Sequence, residues 1–597
     1  MQSKIRKIFA KTSEIFRLYP MMLLMAFLGA ISLICFAHGD FNSNKNYFTF
    51  IKFSLVSCMG ISLMFALKML SQRIGKSLLL EIAGFIFLVC FYFLLPENEK
   101  YFTEKYAFLI IPTVILSHLL VSFSAFLGKQ KELNFWQYNK NLFINIFLTA
   151  IFTGVLTGGV ELAILAVDKL FDFNFNQKYY AETFYFLSIF GSCLIFLLFS
   201  EKGLTDLEKE SEYPLILKFF TQYVLIPLLI IYSIILFFYS AKILFNWELP
   251  RGWVSYLVLA YSVVGILALL LVHPLKEKST KSWVKIFSKI FYYTLVPLIV
   301  LLFTAIFTRI LEYGYTEPRY FVLLLALWLT AVVFYFIFIK KSTIKFVPIN
   351  LFIFGLFALI FPYFNTFSVA KRSQKTELKN ILVQNNLLEK GKIDFNKKVP
   401  DTVAEEISNK IEFLAKRGEN EFLLNFLDHK QQKIFSKNLA KANFWELKND
   451  FKEKFKNIEY SVSKKSAPST VKNITLLAKN FNADISGYKY LFKAYNCKEN
   501  HFEFENNLVE LKMPVSMFKS ELNLVFNGKK TNLVPDLRKL FEKYPDYGEI
   551  KVDDLFIIKT IGNYEFKIMF DSIILSKTAD NKDQFLINSE SVLILIK

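Results

Sequence analysis

Long apolar runs separated by short polar loops fill the first three-fifths of the chain. Each run holds about 20 residues, enough for a helix to cross the ~30 Å hydrocarbon core of a bilayer. A helix is required there because the backbone must satisfy its own hydrogen bonds in lipid. The pattern predicts eleven spans, at Leu18–Ala37, Phe50–Leu67, Leu78–Leu95, Tyr106–Leu127, Leu142–Val167, Phe184–Phe199, Phe220–Phe245, Val254–Val272, Phe291–Thr308, Tyr320–Ile339 and Phe346–Phe364.

After residue 364 the pattern first becomes amphipathic with helical spacing and then, from about residue 458, alternates as strands do. The predicted helices are Ser368–Leu388, a helix capped by Asp401 that runs to about Lys416, Glu421–Leu427, Asn443–Phe455 and, among the strands, Pro535–Tyr544. The predicted strands are Tyr488–Tyr495, Phe502–Glu505, Leu508–Met513, Leu522–Phe526, Leu555–Thr560, Tyr564–Phe570 and Val592–Ile596.

These patterns predict an α-helical polytopic membrane protein with a C-terminal extracytoplasmic α+β domain. We expect residues 1–17 to form a basic amphipathic tail in the cytoplasm and residues 18–364 to form the transmembrane domain. Residues 365–457 are expected to be a helical extracytoplasmic segment, and residues 458–597 the α+β domain.

Composition supports a membrane protein and excludes a disordered one. The 597 residues are 54% hydrophobic and 20% charged, whereas a soluble chain is nearer one quarter charged. The formal charge of +20 favours contact with an anionic surface. Nothing in the pattern indicates a nucleic-acid partner.

The distribution of Lys and Arg predicts the orientation, because cytoplasmic loops carry the excess of positive charge. The first, third, fifth, seventh, ninth and eleventh non-membrane segments up to Phe346 together hold 22 basic residues, and no intervening loop holds more than two. This alternation places Met1 in the cytoplasm. Eleven crossings then place Lys597 outside, so we expect the C-terminal domain to be extracytoplasmic.

Two basic segments are predicted to lie on the cytoplasmic membrane surface. In Trp283–Ile290 the apolar side chains recur at helical spacing, with Trp283 at their start, while Lys281, Lys285 and Lys289 line another face. The N-terminal tail repeats this arrangement. The apolar faces are expected to enter the headgroup region and the lysines to meet anionic lipid, although the lysines could serve only to set the topology.

The fifth span carries a polar stripe. Asn145, Thr149, Thr153, Thr157 and Glu161 follow one another at intervals of four, so they share one face of a helix. An acid near the middle of a bilayer costs roughly 2.5–3.5 kcal/mol and is often functional. Two interpretations remain open: a proton relay that uses Glu161, and a packing seam that contains one satisfied acid.

A ladder of small residues and a histidine are further candidates in the membrane. Ala150, Gly154 and Gly158 lie beside the polar stripe, where small side chains let another helix approach closely. His118, near the centre of the fourth span, is a candidate for titration near neutral pH. A hydrogen-bonded packing role is the alternative for His118.

The sequence shows no established catalytic, cofactor or metal motif. It lacks G-x-x-x-x-G-K-[ST], H-E-x-x-H, G-x-S-x-G and C-x-x-C, and no two of its five histidines stand at metal-ligand spacing. We therefore predict no cofactor and no catalytic residue. Cys497 is alone in the tail, which excludes an internal disulfide there.

Several stretches resemble a bacterial family of multi-spanning membrane proteins known only as a domain of unknown function. They are FTGVLTGGVELAILAVDKLF at Phe152–Phe171, the region Tyr213–Leu275 with its WELPRGW loop, the stretch KRSQKTELKNILVQNNLL, and DISGYKYLF farther on. The resemblance implies a bacterial inner-membrane setting. It supplies no substrate, cofactor or site residue.

Three functions compete at this point. The favoured one is a non-enzymatic integral membrane protein of the cell envelope whose external domain binds an envelope protein or polymer. The second is a proton-coupled secondary transporter that uses Glu161. The third is a lipid-linked glycosyltransferase-like enzyme, for which Asp40 would be the acid in the first external loop.

Overall fold

A computed structural model gives the architecture in two compact units, Met1–Tyr460 and Ser461–Lys597, which are described separately. The structure describes residues 11–38, 47–128, 130–173, 175–209, 214–246, 253–273, 282–455, 457–459, 472–479, 485–495, 500–512, 522–544, 548–553, 555–577, 583–587 and 591–597.

Ten of the described helices are long and apolar enough to cross a membrane, which confirms a multi-pass membrane protein. They are α1 Pro20–His38, α2 Tyr47–Ile74, α3 Ser77–Leu94, α4 Glu104–Phe123, α5 Glu132–Phe171, α6 Gln177–Phe199, α7 Ile226–Asn246, α8 Trp253–Leu271, α9 Ser282–Tyr313 and α10 Glu317–Phe338. Two π-helical turns accompany these helices, Phe186–Gly191 within α6 and Phe220–Leu225 directly before α7.

The eleventh predicted span is shorter in the structure than in the sequence pattern. It forms α11, Phe346–Ile360, whose 15 residues are about 22 Å long at 1.5 Å per residue. The helix ends there because Phe361 precedes a proline and takes an extended backbone conformation. By length alone α11 does not match the ~30 Å core of a bilayer.

Two other spans are longer than their apolar runs. Helix α5 has 40 residues and begins at Glu132, ten residues before the predicted start. Trp136 and Tyr138 are buried in this extension, so packing extends the helix beyond its apolar run. Helix α6 reaches back to Gln177, where the side chain of Asn176 accepts a hydrogen bond from the Lys178 amide and caps the helix.

The apolar side chains of these helices form two main cores. One core joins α1–α6 and includes Leu23, Met64 and Phe65, and the other joins α7–α10 and includes Leu302 and Leu329. We call these helix groups the first and second bundles. Many large apolar side chains on their outer surfaces are exposed, as expected for helices that face lipid.

The loops at one end of the bundles, here called the N-terminal end, contact one another. Lys11 pairs with Glu201 at 2.7 Å, and Arg73 pairs with Glu208. The carboxylate of Glu132 also accepts a hydrogen bond from the amide of Ile344, before α11, at 2.7 Å. Segments before α1, α3, α5 and α11 and after α6 therefore meet at this end.

Other described segments meet at the opposite end, here called the docking end. His38, the last residue of α1, pairs with Glu182 near the start of α6. The hydroxyl of Tyr320, at the start of α10, donates to the carbonyl of Phe364, after α11. Helix α11 therefore begins at the N-terminal end and finishes at the docking end.

A helical subdomain with its own apolar core follows α11. It comprises α12 Thr366–Gln384, α13 Asp401–Ala415, α14 Asn420–Leu424, α15 His429–Lys441 and α16 Phe444–Glu453, with short strands β1 Leu388–Glu389, β2 Lys392–Ile393, β3 Lys398–Pro400 and β4 Asn457–Glu459. The pairing β1–β2 is antiparallel and β3–β4 is parallel.

Two details of this subdomain differ from the sequence-based expectation. Asp401 is the first residue of α13 and not its cap; the flanking position is Pro400, and Asp401 instead pairs with Lys452 at 3.0 Å. The sequence pattern missed α15, whose start is fixed by a capping box between Asp428 and Gln431.

The second unit is a β-rich domain with one α-helix among its described residues. Its elements are β5 Lys472–Ala478, β6 Tyr490–Tyr495, β7 Asn500–Phe504, β8 Asn507–Lys512, β9 Asn523–Phe526, β10 Lys529–Asn532, α17 Val534–Glu542, β11 Gly548–Val552, β12 Phe556–Ile561, β13 Tyr564–Met569, β14 Ser572–Lys577, β15 Asp583–Ile587 and β16 Ser591–Ile596.

The strands of this unit form three four-stranded sheets around a common core. Their orders are β10-β9-β8-β7, β11-β5-β14-β15 and β12-β13-β16-β6. The β11–β5 pairing is parallel and the others are antiparallel. All seven predicted strands and the predicted helix are present with shifts of at most two residues, whereas β5, β10, β11, β14 and β15 were missed.

Candidate functional site

The predicted polar stripe runs along one buried face of α5. Thr149, Thr153 and Thr157 are each at least nine-tenths buried, and this helix packs against α6. At the stripe's N-terminal end, the Asn145 amide donates to the carbonyl of Phe199 at 3.3 Å and the hydroxyl of Ser200 at 3.1 Å. Asn145 therefore ties the stripe to the end of α6.

The three threonine hydroxyls differ from most hydroxyls in this bundle. Thr113, for example, donates to the carbonyl of Leu109 four residues earlier at 2.6 Å. In contrast, Thr149, Thr153 and Thr157 have no hydrogen-bond partner within the described residues. A buried polar group without a partner costs about 1–3 kcal/mol, so water or a polar solute is expected beside this face.

Glu161 continues the stripe toward the docking end. One of its carboxylate oxygens is buried and has no partner in the part of the chain described. Tyr180 of α6 lies within electrostatic range of Glu161 and Asp168, and its hydroxyl is likewise buried without a described partner. An acid, a phenol and three hydroxyls with unused hydrogen-bonding capacity thus lie along the α5–α6 contact.

A cavity of about 350 Å³ connects the stripe with the predicted histidine. Thr149 and His118 both line it, together with Ser188 from the π-helical turn of α6. One ring nitrogen of His118 bonds to the carbonyl of Val114 at 2.8 Å. The cavity brings the two sequence candidates together. Its π-helical wall is also of interest because such turns occur frequently at functional sites.

Within the described part of the chain, no residue packs against the glycines of the predicted helix-packing ladder. Ala150, Gly154 and Gly158 are exposed. No described atom lies within 4 Å of a Cβ built at either glycine. Helix packing at this face stays a prediction, and it now requires a neighbour from outside the described chain.

The predicted surface helix at Trp283–Ile290 is continuous with the span that follows it. It forms the first turns of α9, with no break that would let it lie along the membrane surface as a separate helix. Lys289 is exposed there. The described residues exclude Lys281 and the side chains of Trp283 and Lys285, so lipid contact by the lysines stays a prediction. Asp40, the acid considered for a glycosyltransferase-like enzyme, also lies outside the described residues.

A second polar cluster, which the sequence did not reveal, fixes the helical subdomain to the docking end. Arg417, just after α13, donates from Nε to one oxygen of Glu317 at 2.6 Å and from Nη2 to the other at 2.7 Å. Glu317, the first residue of α10, is fully buried, and Arg417 is 7% exposed. The guanidinium also stacks over the Phe413 ring, with its carbon 3.3 Å from the ring centroid.

Hydrogen bonds around this ion pair complete the docking contact. Gln374 of α12 donates to the carbonyls of Tyr313 and Tyr315, each at 2.9 Å, and its own carbonyl accepts from Lys410 at 3.3 Å. Burial lowers the pKa of Lys410, and the nearby Glu406 carboxylate only partly offsets this effect. Lys416 adds an exposed pair with Glu104 at 3.0 Å.

Glu419 is an acid of the helical subdomain that is paired with two lysines. Lys371 and Lys375 of α12 both pair with the carboxylate of Glu419, the former at 2.9 Å. Burial opposes ionisation of Glu419, but the two lysine hydrogen bonds outweigh it and lower the pKa of the carboxyl. Among the described residues, no three His, Cys, Asp or Glu side chains are arranged to hold a metal ion.

Comparison with known proteins now identifies the family. The model of a domain of unknown function, DUF4153, matches residues 22–389, more than half of the chain. The chain belongs to the DUF4153 family. This confirms the resemblance found in the sequence. The matched DUF4153 region runs from within α1 through α12 and therefore contains the polar stripe and Glu317, but it ends before Arg417 and the β-rich unit.

One curated relative is an uncharacterized protein of Pasteurella multocida, 27% identical over 222 residues. The match covers 36% of this DUF4153 chain and 37% of the relative's length. No solved structure matches the chain.

Proposed function

We propose that this protein is an integral membrane protein of the bacterial cell envelope that holds a partner-binding region outside the cytoplasm. The observation that carries this proposal is the buried pair of Arg417 and Glu317, which fixes the helical subdomain to the end of the bundle. A subdomain on a loose tether would need no such contact.

The energetics of this pair favour a fixed platform. Removing two charges from water is costly, and the cost is recovered only with good geometry and further hydrogen bonds. The bidentate contact of Arg417 with Glu317 gives the geometry, and Nη1 of Arg417 makes a further hydrogen bond to the carbonyl of Phe413 at 2.9 Å. The subdomain is therefore held in one position at the membrane surface, as suits a region that presents a binding surface.

The proposed side of the membrane depends on charge and on the segregation of the loops. The segments that meet at the N-terminal end belong to the set with 22 basic residues. The positive-inside tendency assigns that end to the cytoplasm. Since α11 finishes at the docking end, we propose eleven crossings and an extracytoplasmic tail in the inner membrane.

The β-rich unit offers a surface for the partner. In the sheet β12-β13-β16-β6, Ile558, Lys567, Leu595 and Leu491 lie side by side across the four strands, and Leu595 is fully buried among its more exposed neighbours. Leu491 is 51% exposed and Ile558 is 46% exposed. Exposed apolar residues beside a lysine are suited to an envelope protein or polymer with apolar and anionic groups.

Site-specific photocrosslinking in intact cells tests this proposal. The full-length chain is produced with a photoreactive residue at Leu491 or Ile558, and with a control at the exposed Lys530 of another sheet. We expect the first two positions to give the same discrete adduct with an envelope component, and the control to give none. Adducts absent from both positions, or equally strong at Lys530, would exclude this binding surface.

A second candidate is a proton-coupled secondary transporter that uses Glu161. The unpartnered hydroxyls of Thr149, Thr153 and Thr157 favour it, because they are suited to a chain of waters that leads to the acid. Proton flux in proteoliposomes is expected to fall at least tenfold in Glu161→Gln and to be unaffected in Glu312→Gln, a half-exposed acid outside the stripe. Equal flux in both variants would exclude the relay.

A further inference from the structure

Two arginines share one cavity at the docking end of the second bundle. The cavity has a volume of about 320 Å³. Its lining combines two guanidinium groups with hydroxyl and apolar side chains, and it comes from α8, α9 and α10. The lining residues are Ser255, Tyr256, Ile306, Arg309, Pro318, Arg319 and Val322.

The two guanidinium groups are held beside the same aromatic ring. The central carbon of Arg319 lies 5.2 Å from the centroid of Tyr313, and that of Arg309 lies 5.8 Å from it. Arg319 is also positioned by the carbonyl of Gly314, to which its Nη1 donates at 2.8 Å. These contacts place two like charges close enough to repel one another.

Both guanidinium groups retain donors that the described chain does not use. Only Nη1 of Arg319 makes hydrogen bonds there, and Arg309 makes a single loose ion pair with the exposed Glu312 at 3.7 Å. A guanidinium presents five N–H donors in a planar fork that matches phosphate oxygens. An anion between the arginines would relieve their repulsion and use these donors.

The position and walls of the cavity indicate the source of that anion. Arg309 is near the end of the long apolar helix α9, and Arg319 is near the start of α10. Ile306 and Val322 lie one turn farther into the bundle and make the inner wall apolar. On the outer surface nearby, Leu311 and Tyr256 are 82% and 58% exposed, so the cavity opens beside lipid-facing residues.

We propose that this cavity binds the headgroup phosphate of an anionic phospholipid from the leaflet at the docking end. The arginines contact the phosphate, Tyr256 and Ser255 supply hydroxyls at its edge, and the acyl chains lie along the apolar surface of α8 and α9. Arginine suits this role better than lysine because its fork binds two phosphate oxygens at once.

Native mass spectrometry of the full-length protein tests the site. Delipidated protein is titrated with phosphatidylglycerol or phosphatidylcholine, which share a phosphate but differ in net charge. We expect one phosphatidylglycerol to bind at least fivefold more tightly than phosphatidylcholine. Arg309→Gln is expected to weaken the binding of phosphatidylglycerol about fivefold. The affinity of Arg309→Lys for phosphatidylglycerol is expected to lie between those of the natural protein and Arg309→Gln, because lysine keeps the positive charge but lacks the planar fork of donors.

A matched control separates the cavity from the surface charge in general. Arg372 lies at the same end but contacts Tyr363 outside the cavity, and Arg372→Gln is expected to bind as the natural protein does. Equal losses in Arg309→Gln and Arg372→Gln would overturn the proposal, as would full retention in Arg309→Gln. Inorganic phosphate is added in a third arm, and complete displacement of the lipid by it at millimolar concentration would identify a soluble anion as the ligand and overturn the lipid assignment.

Discussion

Breaking the Arg417–Glu317 pair should release the helical subdomain from the bundle. In Arg417→Met the guanidinium is lost and the Glu317 carboxylate, fully buried in the docked state, has no counter-charge from Arg417. Removing one partner of a buried ion pair typically costs about 3–5 kcal/mol. The exposed pair of Lys416 with Glu104 is worth only about 0–1 kcal/mol and cannot compensate for that loss.

Hydrogen exchange measures this cost directly. Amides of α12 and α13 that exchange through undocking should exchange roughly 100- to 4,000-fold faster in Arg417→Met, since each 1.4 kcal/mol is a factor of ten. The matched control Lys416→Met should change exchange less than about fivefold.

The double variant Glu317→Met with Arg417→Met tests whether the single variant undocks because the buried charge of Glu317 is left without its partner. Replacement of both partners by apolar residues of similar size is often neutral or stabilising, so exchange should return to within about tenfold of the natural protein. If the single variant exchanges no faster than Lys416→Met, or the double variant exchanges as fast as the single one, then the ion pair does not hold the subdomain.

Three further predictions concern the same region. First, Glu419 should stabilise the folded protein at neutral pH, and this contribution should be lost as the pH falls from the ordinary carboxyl pKa of about 4.5 through the lowered pKa of the folded state. In a series of thermal unfolding measurements at decreasing pH, Glu419→Gln should therefore lose less stability on acidification than the natural protein. An unchanged dependence of stability on acid pH would refute the assignment. Second, Gly314→Ala should accelerate exchange in α12, because Gly314 has φ of +73° and an added Cβ would lie 2.8 Å from the Ser373 hydroxyl oxygen; an unaltered exchange rate would contradict this. Third, Leu414→Ala should reduce the unfolding free energy of the subdomain by about 2–5 kcal/mol, because Leu414 is fully buried in its core; a denaturant midpoint equal to that of the natural protein would show that this core contributes little.

Membrane-spanning helices could be predicted from the sequence because the bilayer demands length and apolar character that a local window reveals. The limits of the prediction have local causes as well. Helix α5 continues for ten residues before its apolar run because buried aromatic side chains such as Trp136 pack there. Helix α11 stops before Pro362 although the apolar run continues.

The docking contact could not be predicted because it depends on pairing across 100 positions of sequence. Glu317 and Arg417 are ordinary charged residues at a helix start and a helix end, and neither belongs to a local motif. The polar stripe shows the opposite case. Its spacing of four residues places Thr149, Thr153 and Thr157 on one face wherever a helix forms, although their unpartnered hydroxyls became evident only from the packing of α6.

In the β-rich unit, the sequence predicted strands whose apolar residues alternate and missed other strands. Strand β5 has neighbouring apolar residues at Leu476 and Leu477, and β11 contains only Ile550 and Val552 as apolar side chains. Their mutual parallel pairing brings together segments 74 residues apart. Local alternation cannot reveal a strand that is stabilised mainly by such a distant neighbour.

The most direct test of the account is the side of the membrane that each end of the bundle faces. In a cysteine-free background of the full-length chain, single cysteines are placed at the exposed Lys390, in the helical subdomain, and at the exposed Lys341, between α10 and α11. A membrane-impermeant maleimide is then added to cells with an intact inner membrane. The account predicts labelling of Lys390→Cys in these cells and of Lys341→Cys only after the inner membrane is permeabilised. Labelling of both sites in intact cells, or of Lys341→Cys alone, would contradict it.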